Sequence, residues 1–107
     1  MRVIARSTLL AFVESLAGSA DQRAVKAALD AWFQETRIAR WTSTADIKQR
    51  YATASIVSSE RIVFNVKGND YRLIVAVDFV HAIVWSKWIG THTDYSRIDA
   101  KEVDYDD

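Results

Sequence analysis

The chain contains no cysteine and no proline, and only three of its 107 residues are glycine. Without cysteine there is no disulfide framework, no thiolate metal site and no thiol nucleophile. Without proline, and with so little glycine, the composition does not suit a long flexible linker. Long apolar runs are also missing, and none approaches the roughly 20 residues that cross a bilayer as a helix. Residues 1–6 lack the charged, apolar and small-residue succession of a secretory leader, so a cytoplasmic protein is expected. Even a net charge is absent, since 14 basic residues balance 14 acidic ones. The balance is uneven along the chain. Residues 1–98 hold 13 Lys/Arg against 9 Asp/Glu, and residues 99–107 hold five acidic residues against Lys101. A mildly basic body with an acidic tail admits a phosphate-bearing partner, although a solvated surface explains the same numbers.

Half of the residues are hydrophobic, enough for the core of one domain over residues 1–107. Residues 2–5 read as an edge strand. Ser7 reads as the cap of a helix over 8–17 that ends at Gly18. A second helix is expected from about Asp21 to Thr36, with Val25, Ala28, Leu29, Trp32 and Phe33 on one stripe. Ser43 and Asp46 have the spacing of a capping box before a short helix reaching Tyr51. The period then changes. Residues 61–66, 70–79 and 83–90 are rich in β-branched and aromatic residues and read as strands. Gly68-Asn69 centres the first turn and Val80-His81 the second, and a last short helix is expected over 93–98. No internal repeat or domain boundary is visible. Helices followed by an antiparallel meander make an α+β layout, with the N-terminal helices on one face of a small, mainly antiparallel sheet.

Register then tells which side chains share a face. With Gly68-Asn69 as the loop, Ile62, Phe64, Val66, Tyr71, Leu73 and Val75 form the core face, and Asn65 lies opposite Arg72 on the other. With Val80-His81 as a second two-residue loop, Lys87 faces Ile74, Ile89 faces Arg72, and Lys87 becomes a diagonal neighbour of Arg72. Val84 and Trp88 then join the core side, and Trp85 lies with Lys87. His92 and Tyr95 follow just past the third strand.

These groups match the needs of RNA cleavage by its own 2′-hydroxyl. An imidazole can move protons near neutral pH. A guanidinium and an ammonium can balance charge on the phosphorane. A phenol can orient a proton or stack on a base. No metal or other cofactor is called for, because RNA supplies the nucleophile. Each residue also has a plainer explanation. His92 can be a surface histidine, Arg72 an ion-pair partner of Asp70 or Asp78, Lys87 an edge charge and Tyr95 a packing residue. Trp32 reads as core, and so do Trp41, Trp85 and Trp88 before base stacking is considered. His81 reads as exposed and inert.

The stretch from Arg61 to Ala76, containing Phe64-Asn65-Val66 and Gly68-Asn69 before Tyr71-Arg72-Leu73, resembles the HigB family of toxins. So does the stretch from Val84 to Tyr95, which ends Gly90-Thr91-His92 with Tyr95 three residues on. Trp32, Trp41, Ser43, Asp46, Ile47 and Lys48 extend the likeness into the helical half. These toxins are RelE-like mRNA interferases of type II toxin–antitoxin systems. The resemblance implies a RelE-like fold, cleavage of mRNA in the ribosomal A site and neutralisation by a HigA-like helix-turn-helix antitoxin. By position it points to His92, Arg72, Lys87 and Tyr95 as catalytic residues, with Asn65 and Lys67 in support. Arg37, Arg40, Lys48 and Arg50 are candidates for RNA contact, and a solvated helix face accounts for them equally well. Many relatives carry Arg where this chain has Lys87, and Ser96 replaces an acidic residue common after the tyrosine. Two other readings stay open: a non-catalytic ParE-like toxin that blocks a target such as gyrase, and an inactive relic that only binds its antitoxin.

Overall fold

The computed structural model describes residues 1–103. The acidic residues Asp104, Asp106 and Asp107 of the expected tail lie outside them. The chain runs β1 (Arg2–Ile4), α1 (Arg6–Ser15), α2 (Gln22–Ile38), α3 (Thr44–Arg50), β2 (Ser55–Ile56), β3 (Arg61–Val66), β4 (Tyr71–Asp78), β5 (Ile83–Thr91) and α4 (His92–Tyr95). The strands form one sheet in the order β1-β5-β4-β3-β2. Only the β1–β5 pair is parallel; the other three pairs are antiparallel. This is the expected α+β architecture, with the short strand β2 added at the edge.

The helices cover one face of the sheet, its inner face. Leu9 and Val13 of α1, Val25, Leu29 and Trp32 of α2, and Ile47 of α3 pack on Ile62, Phe64, Val66, Tyr71, Leu73 and Val75. The six strand residues are those that alternation assigned to the core. Burial of such side chains contributes about 1.5–3 kcal/mol each against exposure, which holds the helices down although none has a side-chain cap among α1, α2 and α3. The Ser7 cap is therefore corrected. The chain turns sharply at Ala5, with φ +68°, and α1 starts at Arg6. Ser43 does precede α3, but its side chain makes no cap. Instead the Asp46 carboxylate accepts from the Thr42 amide and hydroxyl, both at 2.8 Å.

The outer face is apolar in its middle, where Val63 and Ile74 sit. Tyr95 at the end of α4 and the segment after it cross this region, packing Tyr95, Ile98, Ala100 and Val103 there beside Trp88. The Arg61 guanidinium holds this strap through the Val103 carbonyl at 2.8 Å and the Ala100 carbonyl at 3.4 Å.

The β3–β4 register is the expected one throughout, from Arg61 opposite Ala76 to Val66 opposite Tyr71. The β4–β5 register agrees from Asp78–Ile83 to Val75–Ser86 and then slips by one residue, so that Ile74 faces Trp88 and Arg72 faces Gly90. The expected pairs Ile74–Lys87 and Arg72–Ile89 are not formed. Lys87 is the extra residue of a β-bulge. Past the bulge every side chain changes side. Trp88, expected in the core, stands on the outer face, and Ile89 takes the inner position with 2% of its surface exposed. Ile89 fits a space that an indole would overfill. The β4–β5 loop spans residues 79–82, not only Val80-His81. It is closed by the Asp78 carboxylate, which accepts from the His81 amide at 3.0 Å. The last helix is one turn, His92–Tyr95, in place of the expected 93–98.

Candidate functional site

Three of the four leading candidates meet where β4 begins and β5 ends. Arg72 is the second residue of β4, and its side chain leaves the outer face opposite Gly90. His92 follows β5 directly; its amide donates to the Asp70 carbonyl at 2.9 Å and fixes the ring beside the β3–β4 turn. Thr91 starts the next turn of helix by accepting from the Asp94 amide at 3.1 Å, and that turn brings Tyr95 back over the sheet.

The Arg72 guanidinium lies 3.1 Å from His92 Nδ1 through Nη2 and donates through Nη1 to the Asn69 carbonyl at 2.9 Å. The same carbonyl is 3.3 Å from His92 Nδ1. The Arg72 carbon Cζ sits 5.7 Å from the centre of the Tyr95 ring, within cation–π range. Tyr95 leans on Trp88, the two ring centres being 6.3 Å apart. The Trp88 indole in turn lies across Gly90, where an added Cβ would fall 2.5 Å from it. A continuous line of contacts therefore runs Gly90, Trp88, Tyr95, Arg72, His92. His92 is exposed and Arg72 and Tyr95 are half-buried, so the group can meet a polymer on an open surface.

Lys87 is not adjacent to Arg72. It is three residues from Gly90, the partner of Arg72, along β5, roughly 10 Å at 3.3 Å per residue. Its ammonium sits 5.9 Å from the Trp85 ring centre, which keeps the expected pairing of Lys87 with Trp85. Asn65 does stand opposite Arg72 on the outer face.

The other candidates are dispersed. Lys67, at the turn with φ +52°, is bound to Asp70 at 2.9 Å and to Asp21 at 3.4 Å. The hydrogen bond to Asp70, with help from Asp21, holds its ammonium above the ordinary lysine value. Lys48 donates to the Ala52 and Ala54 carbonyls and so ties down the loop after α3. Arg50 is paired with Glu35, which also accepts from the Tyr51 hydroxyl; burial and that bond push the Tyr51 hydroxyl well up. Arg37 bonds Gln34 at 2.9 Å. Arg37 and Arg40 are exposed and line a cleft with Trp41 and Phe79, at the end of the sheet away from His92. His81 is exposed and bonded to Asp78 at 2.8 Å, as its turn position suggested.

Among the described residues no three His, Asp or Glu side chains cluster in a way that could hold a metal ion. No helix among them is long and apolar enough to cross a membrane. A mainly apolar cavity of about 180 Å³ lies between α1 and α2, lined by Leu9, Leu10, Val13, Leu29 and Phe33, and touches none of the candidate residues.

Asn69, Trp88 and Gly90 belong to this assembly and were not singled out for it from sequence. Asn69 takes part through its backbone carbonyl, which no sequence pattern reports. Gly90 did carry a signal, because glycine inside a strand marks a bulge or a close approach.

A family model described as HigB toxin, the RelE-like toxic component of a toxin–antitoxin system, matches residues 25–98. That span runs from α2 to beyond α4 and includes every candidate residue. No curated protein matches the chain.

Proposed function

Because the chain belongs to the HigB family of RelE-like toxins, the toxic components of toxin–antitoxin systems, we propose that it is a ribosome-dependent mRNA endonuclease of the cytoplasm. Membership carries with it an antitoxin partner, which we take to be a HigA-like helix-turn-helix protein. The observation that carries the nuclease reading is the contact of Arg72 with His92 at 3.1 Å beside Tyr95 on an exposed surface.

The chemistry follows from the groups. The 2′-oxygen attacks the adjacent phosphorus, the bond from phosphorus to the 5′-oxygen breaks, and a 2′,3′-cyclic phosphate and a 5′-hydroxyl remain. A proton leaves the 2′-oxygen and one reaches the 5′-oxygen. His92 is the imidazole suited to these transfers. Arg72, with its planar fork of donors, balances the charge that builds on the phosphorane. Tyr95 offers a ring for a base and a hydroxyl for orientation. Lys87, further along β5, suits the phosphate of a neighbouring nucleotide better than the scissile one. Asn65 borders the same face. Lys67 positions the turn through Asp70 and Asp21. Arg37 and Arg40 are available to ribosomal RNA; Lys48 and Arg50, with partners inside the protein, would add only their charge.

Cleavage of a reporter mRNA in a translating extract tests the reading. The His92→Ala variant is expected to lose about 10²-fold or more in cleavage rate. Equal cleavage by the wild type and the variant removes His92 from the mechanism.

A further inference from the structure

Nδ1 of His92 stands between two neighbours that make opposite demands on it. The Arg72 guanidinium, 3.1 Å away, can only donate a hydrogen bond. The Asn69 carbonyl, 3.3 Å away, can only accept one. A single ring nitrogen cannot be bare for the first and protonated for the second. The shorter contact has a charged donor and is the stronger of the two. It requires a bare Nδ1, which puts the proton of the neutral ring on Nε2. In that tautomer Nε2 has no lone pair to offer a 2′-hydroxyl, and the lone pair on Nδ1 is covered by Arg72. The arrangement is therefore closed to general-base chemistry as it stands. Arg72 also occupies the alternative acceptor, because its Nη1 donates to the Asn69 carbonyl at 2.9 Å.

We propose that Arg72 holds His92 in this inactive tautomer until a phosphodiester draws the guanidinium away, and that the Asn69 carbonyl then accepts a hydrogen bond from a protonated Nδ1, which leaves Nε2 bare as the base. The inference rests on the reading of RNA as the ligand. A phosphate anion competes well for Arg72, since it offers a charged, bidentate acceptor in place of one neutral nitrogen. Departure of the guanidinium uncovers both Nδ1 and the Asn69 carbonyl. One proton then moves from Nε2 to Nδ1 through solvent, with no net gain or loss. In the reaction Nε2 takes the 2′ proton as the 2′-oxygen bonds to phosphorus. The resulting imidazolium keeps its Nδ1 proton on Asn69. It returns the Nε2 proton to the 5′-oxygen as that bond breaks. Arg72 has two stations, one on the histidine and one on the substrate, and the ring becomes a base only when the substrate occupies the second. Asn69 is a positioning residue acting through its carbonyl. Nearby, Lys67 is bound by Asp70 and Asp21, and the Tyr95 ring flanks the guanidinium.

Nitrogen-15 NMR of histidine-labelled protein at about pH 8, above the ordinary histidine range, reads the tautomer directly. His81 supplies an internal standard, because its bond to the Asp78 carboxylate places a proton on Nδ1. In free protein His92 is expected to show a protonated Nε2 and a bare Nδ1, the reverse of His81. A 2′-O-methyl oligonucleotide, which binds without a nucleophile to react, is the probe. On its addition the bare-nitrogen signal should move from Nδ1 to Nε2. Arg72→Ala should show the bound pattern without any RNA. A protonated Nδ1 in the free wild type, or unchanged signals with the oligonucleotide demonstrably bound, overturns the proposal. Failure of the oligonucleotide to bind overturns the exchange, while the free-state tautomer still decides whether Arg72 holds the ring and cleavage in the translating extract decides the RNA reading.

Discussion

At Gly90 a single hydrogen in place of a methyl group decides the shape of the site. The Trp88 indole occupies the space a Cβ would need, at 2.5 and 2.6 Å for its two nearest atoms, so the ring can lie flat and support Tyr95. Gly90→Ala must push the indole off the strand. It is expected to cost about 1–3 kcal/mol in urea denaturation, the range for overfilling a packed position. In a Trp88→Leu background the same substitution should cost far less. An equal cost in both backgrounds shows that the indole is not the obstacle.

Elements were legible in the sequence where a local rule governed them. The β3–β4 hairpin came out pair for pair, because its turn residues and its two-residue alternation agree. The stripe of α2 was equally plain, since Val25, Leu29 and Trp32 recur at helical spacing and are buried. Asn65 and Arg72 were brought opposite each other on one face by the same alternation, while His92 and Tyr95 were placed only as following the third strand. The alternation failed at Lys87, where a bulge interrupts the period without a local signature beyond Gly90 three residues later. Trp88 was therefore assigned to the wrong side. Long-range ties were also invisible. Asp21, just before α2, accepts from the buried Tyr71 hydroxyl at the start of β4 at 2.8 Å, fastening helix to sheet across 50 positions of chain. That bond, with Lys67 beside it, holds the Asp21 carboxyl below the usual carboxylate range. A depressed value means that the carboxylate favours the fold above about pH 4 and that this stabilisation fades as the pH falls through the folded value. Urea midpoints measured across that window should fall with acid in the wild type and more shallowly in Asp21→Asn. The slope should not vanish, because Asp46 and Asp78 are depressed by their own amide hydrogen bonds. Identical slopes would deny Asp21 its role.

Across the whole molecule the sheet is a partition. Helices fill one side, and the strap after α4 covers the middle of the other while leaving the Arg72–His92 end open. Arg61 is the strap's main fastener, through two backbone carbonyls. Arg61→Ala should therefore let a protease cut after Lys101 sooner, with thermal unfolding much less affected because the core cluster is untouched; unchanged cleavage kinetics would mean that apolar packing alone secures it. The bulge at Lys87 has a reach beyond its own strand. A strand has two phases, and one surplus residue converts the downstream half from one to the other. Loss of Lys87 would leave Ser86 opposite Val75 and Trp88 opposite Ile74 in unbroken pairing, whereas straightening the bulge with that residue kept would send the indole inward, turn Ile89 out to solvent and reverse the remainder of β5. In a lineage of such chains, a member with one residue fewer between Trp85 and Trp88 should keep the same downstream faces and simply lose the bulge.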